Sequence, residues 1–377
     1  MKRMLIVQLF NQTFAKVEKA LPRLARLGAS HVLISPPQKS HSSRSWWARY
    51  QPVDFRRIEG PLGNLQQLQS LCRAAHNKGL TVVVDAVIHH LSNESRYLHS
   101  RGQHIVAAQY PHFSTPDLRG VHQLGKGRGL PILNTDSPWV RSQLRDYLHW
   151  LHSLGVGGFR FDSAKHLDPH LFPYLLSGLP PLLAFGELVY ARPQDFPPAY
   201  WQSMKAYDFP LAHSIKRAFA PGGDLGSLVT PTALWGPRSI PFVNHHDLIR
   251  NRSGFAHFRV DDLRDRQLAH VYLLGRAEGI PLVYGNDLRY AEVKAGMQFH
   301  RHCLGQGLEW VCVTRSLLAW KRGSRALAAI NKGAQPATLE TRLEAGVYQN
   351  LVSGRSFPLQ GALTLAGRGA VLLVREG

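Results

Sequence analysis

Gly158-Phe159-Arg160-Phe161-Asp162 is a short, mostly apolar segment of strand type that ends in a carboxylate. Three further carboxylates follow apolar runs in the same way, after residues 80–84, 182–186 and 240–246. Amphipathic helical stretches separate these runs, which is the pattern of parallel βα units. The segments therefore indicate an α/β fold whose acidic residues lie at the carboxyl ends of the strands.

The alternation of strands and helices holds for most of the chain. Eight segments have strand character: residues 4–9, 31–35, 81–87, 158–162, 182–187, 205–209, 240–244 and 280–284, of which 205–209 is the weakest. Helical patterns accompany them at residues 64–78, 138–154, 262–276 and 309–322. Eight such units predict a (β/α)8 TIM barrel.

Two parts of the chain depart from this alternation. Residues 91–135 are polar and rich in Gly, His and Pro, which is typical of a functional excursion rather than a simple loop. After about residue 323 the pattern changes to short alternating segments with turn signals between them. We therefore expect a catalytic barrel from residues 1–90 and 136–323, an inserted subdomain at 91–135, and a small antiparallel β domain at 324–377.

The composition is that of a globular protein and excludes a disordered chain, a collagen and a coiled coil. Among 377 residues, 45 are Lys or Arg and 25 are Asp or Glu, which gives a formal net charge of +20. The basic residues are scattered, so we expect no nucleic-acid partner. No apolar run approaches the roughly 18 residues that cross a bilayer, and the first residues do not resemble a secretory signal. These features predict a cytoplasmic protein with no membrane partner.

The four carboxylates Asp85, Asp162, Glu187 and Asp247 follow four different predicted strands. In a barrel these strand ends meet at one rim, where the active sites of such barrels lie. A single acidic residue at a strand end can instead cap the next turn or helix. Four on one rim favour a shared pocket.

Arg160 lies two residues before Asp162, so period-two alternation places both side chains on the inward face of the strand. A guanidinium there can keep the carboxylate ionised. Carboxylates, an Arg and several His, with no phosphate-binding glycine loop, suit glycoside hydrolysis, in which one carboxylate attacks and a protonated one serves as the acid. Trp46, Trp47 and Tyr50 offer flat faces for sugar rings, although clustered aromatics are also typical of simple packing.

Five motifs resemble the conserved regions of the α-amylase family, glycoside hydrolase family 13, in the family's order. They are SPPQ at 35–38 with WWARYQPV at 46–53, DAVIHH at 85–90, GFRFDSAKH at 158–166, FGE at 185–187 and FVNHHD at 242–247. The first is similar to a block of animal-type α-amylases. The resemblance implies a retaining α-1,4-glucan hydrolase, endo-acting, that cleaves starch, glycogen or maltooligosaccharides through a covalent glycosyl-enzyme.

The resemblance also implies a role for each matching residue. Asp162 would be the nucleophile, Glu187 the general acid and base, and Asp247 a group that stabilises the transition state. Substrate binding is expected at Trp47, Tyr50, Gln51, Asp85, His90, Arg160, Lys165, His166 and His246. Within this set, Arg160 would orient Asp162, Tyr50 would stack on the sugar at the cleavage point, and His90 and His246 would hydrogen-bond it. Lys165 and His166 would line the side of the leaving group.

Two ion sites of the family lack their usual ligands. His89 and Ile132 replace an Asn and an Asp of the family's calcium site, and calcium prefers oxygen ligands, so we predict no calcium there. His245 and Leu282 replace an Asn and a basic residue of the chloride site of animal-type enzymes, which makes chloride activation doubtful. The run of residues 300–303 has a spacing that fits no standard zinc site. We therefore predict no metal and no cofactor.

Other functions remain compatible with the sequence. A transglycosylase or an oligosaccharide-specific glucosidase of the same family would share the catalytic residues, because acceptor subsites and loop shapes decide the reaction. A different class is a non-catalytic basic binding protein on a barrel scaffold, for which the net charge of +20 is the motive. Retention of all three catalytic carboxylates favours an enzyme. We expect a monomer. The three cysteines allow at most one disulfide, which we expect between Cys303 and Cys312 if one forms.

Overall fold

The computed structural model describes residues 4–95, 106–108, 130–251 and 253–376. Its largest sheet has eight parallel strands, which we label in chain order. They are β1 (Ile6–Leu9), β2 (His31–Ile34), β3 (Thr81–Ala86), β4 (Gly158–Phe161), β5 (Leu183–Gly186), β6 (Lys205–Tyr207), β7 (Ser239–Ile240) and β8 (Leu282–Tyr284). Each strand pairs with the next, β8 pairs with β1, and a parallel bridge between Phe242 and Leu282 joins β7 to β8. The predicted (β/α)8 barrel is confirmed.

Side chains alternate between the inside of the barrel and the layer beneath the helices. Phe159 and Phe161 of β4 belong to the large apolar cluster between strands and helices, whereas Val83 and Phe185 belong to the inner cluster. Arg160, between the two Phe residues, is fully buried. Alternation along a strand therefore sends this one guanidinium inward, as the sequence predicts.

Helices cover the barrel and follow the predicted strands. They are α1 (Phe14–Leu27), α2 (Leu65–His76), α3 (Pro138–Ser153), α4 (Leu171–Leu176), α5 (Phe209–Phe219), α6 (His246–Arg250), α7 (Leu263–Gly275) and α8 (Ala291–His302). The predictions at 64–78, 138–154 and 262–276 correspond to α2, α3 and α7. At the start of α2, Asn64 and Gln67 cap each other's backbone amides, which satisfies two donors that have no partner inside the helix. None of the described helices is long and apolar enough to span a membrane.

The helix predicted at 309–322 is wrong. Those residues form two antiparallel strands, β9 (Leu308–Val313) and β10 (Leu317–Arg322), joined by a short turn. The run Glu309–Val313 contains a tryptophan and two β-branched valines, residue types that favour a strand. The last barrel helix is α8, which the prediction missed. The C-terminal sheet therefore begins at Leu308, ahead of the boundary expected at residue 324.

The C-terminal part is antiparallel, as predicted. Its further strands are β11 (Ala326–Asn331), β12 (Ala337–Glu340), β13 (Gly346–Asn350), β14 (Arg355–Leu359), β15 (Ala362–Leu365) and β16 (Gly369–Arg375). Six strands form one sheet in the order β9-β10-β11-β16-β13-β14, and β12 pairs with β15. The indole of Trp320 donates to the carbonyl of Gly275 at the end of α7, and Arg322 donates to the same carbonyl. These buried bonds attach the sheet to the barrel.

The inserted subdomain expected at 91–135 falls mostly outside the described residues. Within the described part, Val106–Ala108 pairs antiparallel with Ile132–Leu133. His90 bridges to Ile132, so the end of the insertion returns directly beside the end of β3.

Candidate active site

Four carboxylates surround one guanidinium at the carboxyl ends of the strands. Nη1 of Arg160 donates to Asp85 Oδ1 at 2.7 Å and to Asp162 Oδ1 at 2.8 Å. Nη2 lies 3.0 Å from Glu187 Oε2 and 3.7 Å from Asp247 Oδ2. The structure therefore brings the four predicted acidic residues into one cluster around Arg160.

Ser163, the residue after Asp162, links Asp162 to Glu187 through hydrogen bonds. Ser163 has φ +50°, in the left-handed region that non-glycine residues rarely adopt. In this conformation its backbone N–H donates to Glu187 Oε2 at 3.1 Å, and its hydroxyl donates to Asp162 Oδ2 at 3.1 Å. A Cβ at Gly186 would lie 2.8 Å from the sulfur of Met204 and 3.0 Å from Ala164 Cβ, so any larger residue just before Glu187 would force these neighbours to shift.

Asp247 is held at the start of α6 by two histidines. Nδ1 of His245 accepts from the backbone N–H of Asp247 at 3.3 Å and caps the helix. Nε2 of His246 lies 3.2 Å from Asp247 Oδ2. The ring of Phe10 stacks on His246 with centroids 4.5 Å apart.

A chain of hydrogen bonds fixes His246 and Tyr50 relative to the cluster. Gln8 accepts from the backbone N–H of His246 at 3.1 Å, which directs the Gln8 amide nitrogen toward His246 Nδ1 at 2.8 Å. The ring proton of His246 therefore sits on Nε2, which lies 2.9 Å from the Tyr50 hydroxyl. That hydroxyl donates to Asp85 Oδ2 at 2.8 Å.

The other predicted substrate-binding residues contact further side chains and backbone groups and differ in how deeply they are buried. His90 is buried and its Nε2 bonds the backbone carbonyl of Tyr50 at 2.8 Å, while Gln51 is also buried. His166 lies against His89, with ring centroids 5.6 Å apart. Lys165 lies over the ring of Tyr190, and Trp47 is tilted against His41. The sequence analysis does not identify Gln8, Phe10 or Ser163 as site residues. Of these, only Gln8, a polar residue inside an apolar strand, stands out in the sequence pattern.

The sequence is similar to those of known proteins. A model of the α-amylase catalytic domain matches residues 14–119. An α-amylase of Aeromonas hydrophila is 31% identical over 395 aligned residues, which cover 87% of this chain and 84% of that protein. This chain belongs to the α-amylase family of glycoside hydrolases. The pancreatic α-amylase of Rattus norvegicus is 24% identical over 93% of this chain and 87% of that protein.

Solved α-amylase structures share the fold. α-Amylase I from Eisenia fetida superposes with a TM-score of 0.79, covering 100% of this chain and 95% of that one at 20% identity. An α-amylase from Geobacillus thermoleovorans, solved with acarbose, gives a TM-score of 0.77 at 17% identity over 99% of this chain and 98% of that one. At these identities the likeness supports the architecture alone.

Burial sets the protonation of the α-amylase cluster. It raises the pKa of Glu187 to about 7, with Arg160 opposing and the charges of Asp247 and Asp162 adding to the rise. It likewise raises the pKa of Asp247 and of Asp85 to about 7, again against the effect of Arg160. One guanidinium cannot offset four negative charges in a largely buried site, so protons remain on part of the cluster near neutral pH.

The residues at the family's calcium position do not fit calcium. His89 is buried, its Nδ1 lies 3.3 Å from Nδ1 of His90, and burial holds its pKa well below the ordinary value. The His89 carbonyl accepts from the N–H of Leu133 at 2.9 Å. The side chain of Ile132 is aliphatic. A neutral imidazole and a hydrocarbon side chain therefore stand in place of two of the oxygen ligands that calcium prefers.

The chloride position of animal-type α-amylases also has a changed ligand set. Leu282 is fully buried in the inner apolar cluster, so it offers no positive charge. The ring of His245 stacks on Tyr207 with centroids 5.0 Å apart, and burial together with the Arg160 charge holds its pKa well below the ordinary value. Arg160 already faces four carboxylates. Leu282 and His245 are uncharged, and the charge of Arg160 is already offset by carboxylates. The position therefore does not suit an anion.

His245, His246 and Asp247 place possible metal-ligand atoms within 4.8 Å of one another. Both nitrogens of His246 have other partners, since Nδ1 contacts Gln8 and Nε2 contacts Tyr50. A metal would have to break this chain of bonds. The cysteines 72, 303 and 312 are free thiols, so the possible pairing of Cys303 with Cys312 is not formed.

Proposed function

We propose that this protein is a retaining α-1,4-glucan hydrolase that cleaves internal bonds of starch, glycogen or maltooligosaccharides. The observation that carries the proposal is the single Arg160 guanidinium within 3.0 Å of both Asp162 and Glu187. Retaining glycosidases use two neighbouring carboxyl groups, about 5 to 5.5 Å apart, and Asp162 and Glu187 are neighbours because both contact the same guanidinium. The α-amylase names of the relatives support the choice of glucan.

The contacts suggest how the reaction proceeds. Asp162, held by Arg160 and Ser163, would attack the anomeric carbon while Glu187 gives its proton to the departing glycosidic oxygen. Water would then hydrolyse the covalent glycosyl-enzyme, and Glu187 would accept a proton from that water. Asp247 and His246 would bind sugar hydroxyls as positive charge develops on the ring.

Reducing-end release from soluble starch and maltoheptaose, with chromatography of the products, tests the proposal. Mixed maltooligosaccharides from both substrates are expected. Intact starch together with maltoheptaose redistributed into longer and shorter chains would identify a transglycosylase instead. No reaction on either substrate would favour the non-catalytic binding protein, whose polyanion binding should weaken steeply with salt.

The activity should not depend on calcium. Because His89 and Ile132 remove two oxygen ligands, we expect the rate of starch hydrolysis to change by less than about twofold when a chelator is added. A calcium-dependent α-amylase assayed in parallel serves as the control. A large loss of activity that added calcium restores would contradict the assignment. We also expect no activation by chloride.

The raised pKa of Glu187 predicts a specific pH dependence. A general acid works only while protonated, so kcat/KM for maltoheptaose should fall as pH rises through about 7, the pKa that burial gives Glu187. Maltosyl fluoride needs no protonation of its leaving group, so its glycosylation step should keep its rate above this pH. An identical alkaline fall for both substrates would assign the titration to another group.

We further propose a cytoplasmic monomer without a nucleic-acid or membrane partner. The scattered basic charge supports the absence of a nucleic-acid partner, and no described helix is long and apolar enough to span a membrane. Sedimentation at two protein concentrations and fractionation of the source cells would test it.

A further inference from the structure

The two carboxylate oxygens of Asp162 have different partners. Oδ1 accepts from Nη1 of Arg160 at 2.8 Å, and this guanidinium is fully buried inside the barrel. Oδ2 accepts from the hydroxyl of Ser163 at 3.1 Å. Because Oδ1 faces the buried cation, Oδ2 is the oxygen that remains to attack a sugar. A carboxylate oxygen has two lone pairs, so Oδ2 can accept this bond and still react.

The backbone of Ser163 is fixed on both sides. Its N–H donates to Glu187 Oε2 at 3.1 Å, and its carbonyl accepts from the N–H of His166 at 3.0 Å. The turn that follows is anchored by Tyr200, whose buried hydroxyl donates to the carbonyl of Ala164 at 3.0 Å. These bonds hold the Cα of Ser163 in place, so its hydroxyl lies at a defined position beside the nucleophile.

The backbone conformation alone does not explain why this residue is a serine. Ser163 has φ +50°, a conformation that glycine adopts without strain. Glycine would also keep the backbone bond to Glu187, so that bond does not require a side chain. Strained backbone of this kind occurs mostly at functional sites. What serine adds to glycine here is the hydroxyl bond to Asp162 Oδ2.

The charge on Oδ2 changes in both steps of a retaining reaction. In the first step, Oδ2 gives an electron pair to the anomeric carbon, and its negative charge falls as the ester forms. In the second step, the bond between the anomeric carbon and Oδ2 breaks, and the electron pair returns to Oδ2. The oxygen of water forms the new bond to that carbon, and a proton of the water goes to Glu187. A donor to Oδ2 therefore binds more strongly as the second step proceeds.

We propose that the hydroxyl of Ser163 accelerates the release of Asp162 from the glycosyl-enzyme, an inference that rests on the proposed function. Its hydrogen bond strengthens while negative charge returns to Oδ2, so it stabilises the transition state of deglycosylation. In the first step the same bond stabilises the free carboxylate more than the transition state, so it does not assist the attack. Ser163 is thus a positioning residue that acts on the second step through Asp162.

Rapid-quench kinetics of the full chain with maltosyl fluoride test the proposal. Fluoride release reports the first step, and the decay of the glycosyl-enzyme in mass spectra reports the second. Ser163→Ala should slow this decay roughly 10- to 100-fold, less than the loss of an oxyanion-hole donor, because Arg160 still shares the returning charge. The values of kcat and KM should then fall together, while kcat/KM stays within about twofold of wild type or rises. A merely structural defect would lower kcat/KM.

Two further variants separate the hydroxyl from the backbone. Ser163→Gly also removes the hydroxyl but adopts φ +50° without strain, so it should show the same slow decay. Ser177→Ala is the control, because it removes an exposed hydroxyl that donates to the carbonyl of Tyr174 at 2.9 Å, and its rates should match those of wild type. Slow decay in Ser163→Ala alone would assign the effect to backbone strain and overturn the proposal.

The same measurements distinguish this role from the proposed function. A glycosyl-enzyme that forms in wild type and decays at the wild-type rate in both Ser163 variants would refute the role of Ser163 alone. If neither the wild type nor the variants form a glycosyl-enzyme, the retaining mechanism is refuted, and this role of Ser163 with it.

Discussion

Replacing Asp162 by asparagine is expected to lower kcat for starch and maltoheptaose by at least about 10⁴-fold, the scale on which loss of a covalent nucleophile acts in other hydrolases. An amide oxygen is too weak a nucleophile to attack the anomeric carbon. It can still accept the bond from Arg160, while the amide nitrogen can donate to the Ser163 hydroxyl, which then acts as the acceptor. The fold should therefore persist, and circular dichroism and thermal unfolding should match those of the wild type.

The matched control is Asp168→Asn, an exposed position six residues further along the same segment. Its side chain accepts from the backbone N–H of His170, a bond that an amide oxygen preserves, so activity should stay within about twofold.

Glu187→Gln gives a second contrast. With maltosyl fluoride it should accumulate a covalent glycosyl-enzyme visible by mass spectrometry, because fluoride leaves without an acid. Substantial hydrolysis by Asp162→Asn would assign the nucleophile elsewhere.

The positions of the catalytic carboxylates could be predicted because they depend on short-range rules. Asp162 follows an apolar run of defined period, and the barrel brings all such strand ends to one rim. Alternation alone also predicts that Arg160 points inward beside Asp162. The structure places both as expected, with 2.8 Å between Arg160 Nη1 and Asp162 Oδ1.

Other features depend on contacts between distant residues and could not be predicted in this way. Gln8 and His246 are separated by 238 positions, yet their bonds set the tautomer of the histidine. The left-handed backbone of Ser163 has no sequence signal, since glycine is the usual residue there. The prediction of a helix at 309–322 is wrong because the spacing of the apolar residues fits the helical period as well as the strand period. Pairing with β11 stabilises the strand β10.

Replacing Arg160 by methionine should affect both activity and stability. The change leaves Asp85, Asp162, Glu187 and Asp247 buried or nearly so without their shared cation. Removal of one partner from a buried ion pair costs about 3–5 kcal/mol of the free energy of unfolding, because the charge that remains is uncompensated. We expect a loss of this size at pH 8, together with the loss of catalysis, since no guanidinium then orients Asp162.

The loss should shrink at lower pH. Burial already raises the pKa of Asp85, Glu187 and Asp247 to about 7 against the effect of Arg160, so without it these pKa values rise further. A carboxyl whose pKa is higher in the folded chain than in the unfolded chain, where it is about 4, binds protons more tightly when folded. Stability then falls as pH rises from about 4 through the raised pKa, and is regained as pH drops.

Urea unfolding at pH 5 and pH 8 measures this difference. The deficit of Arg160→Met relative to wild type should be clearly smaller at pH 5, where Asp85, Glu187 and Asp247 are largely protonated. Arg192→Met is the control, because it removes an exposed guanidinium that pairs with Asp195 at 2.9 Å, and surface pairs contribute about 0–1 kcal/mol. A deficit of equal size at both pH values would show that Arg160 acts through packing, and that the charges of the four carboxylates do not depend on it.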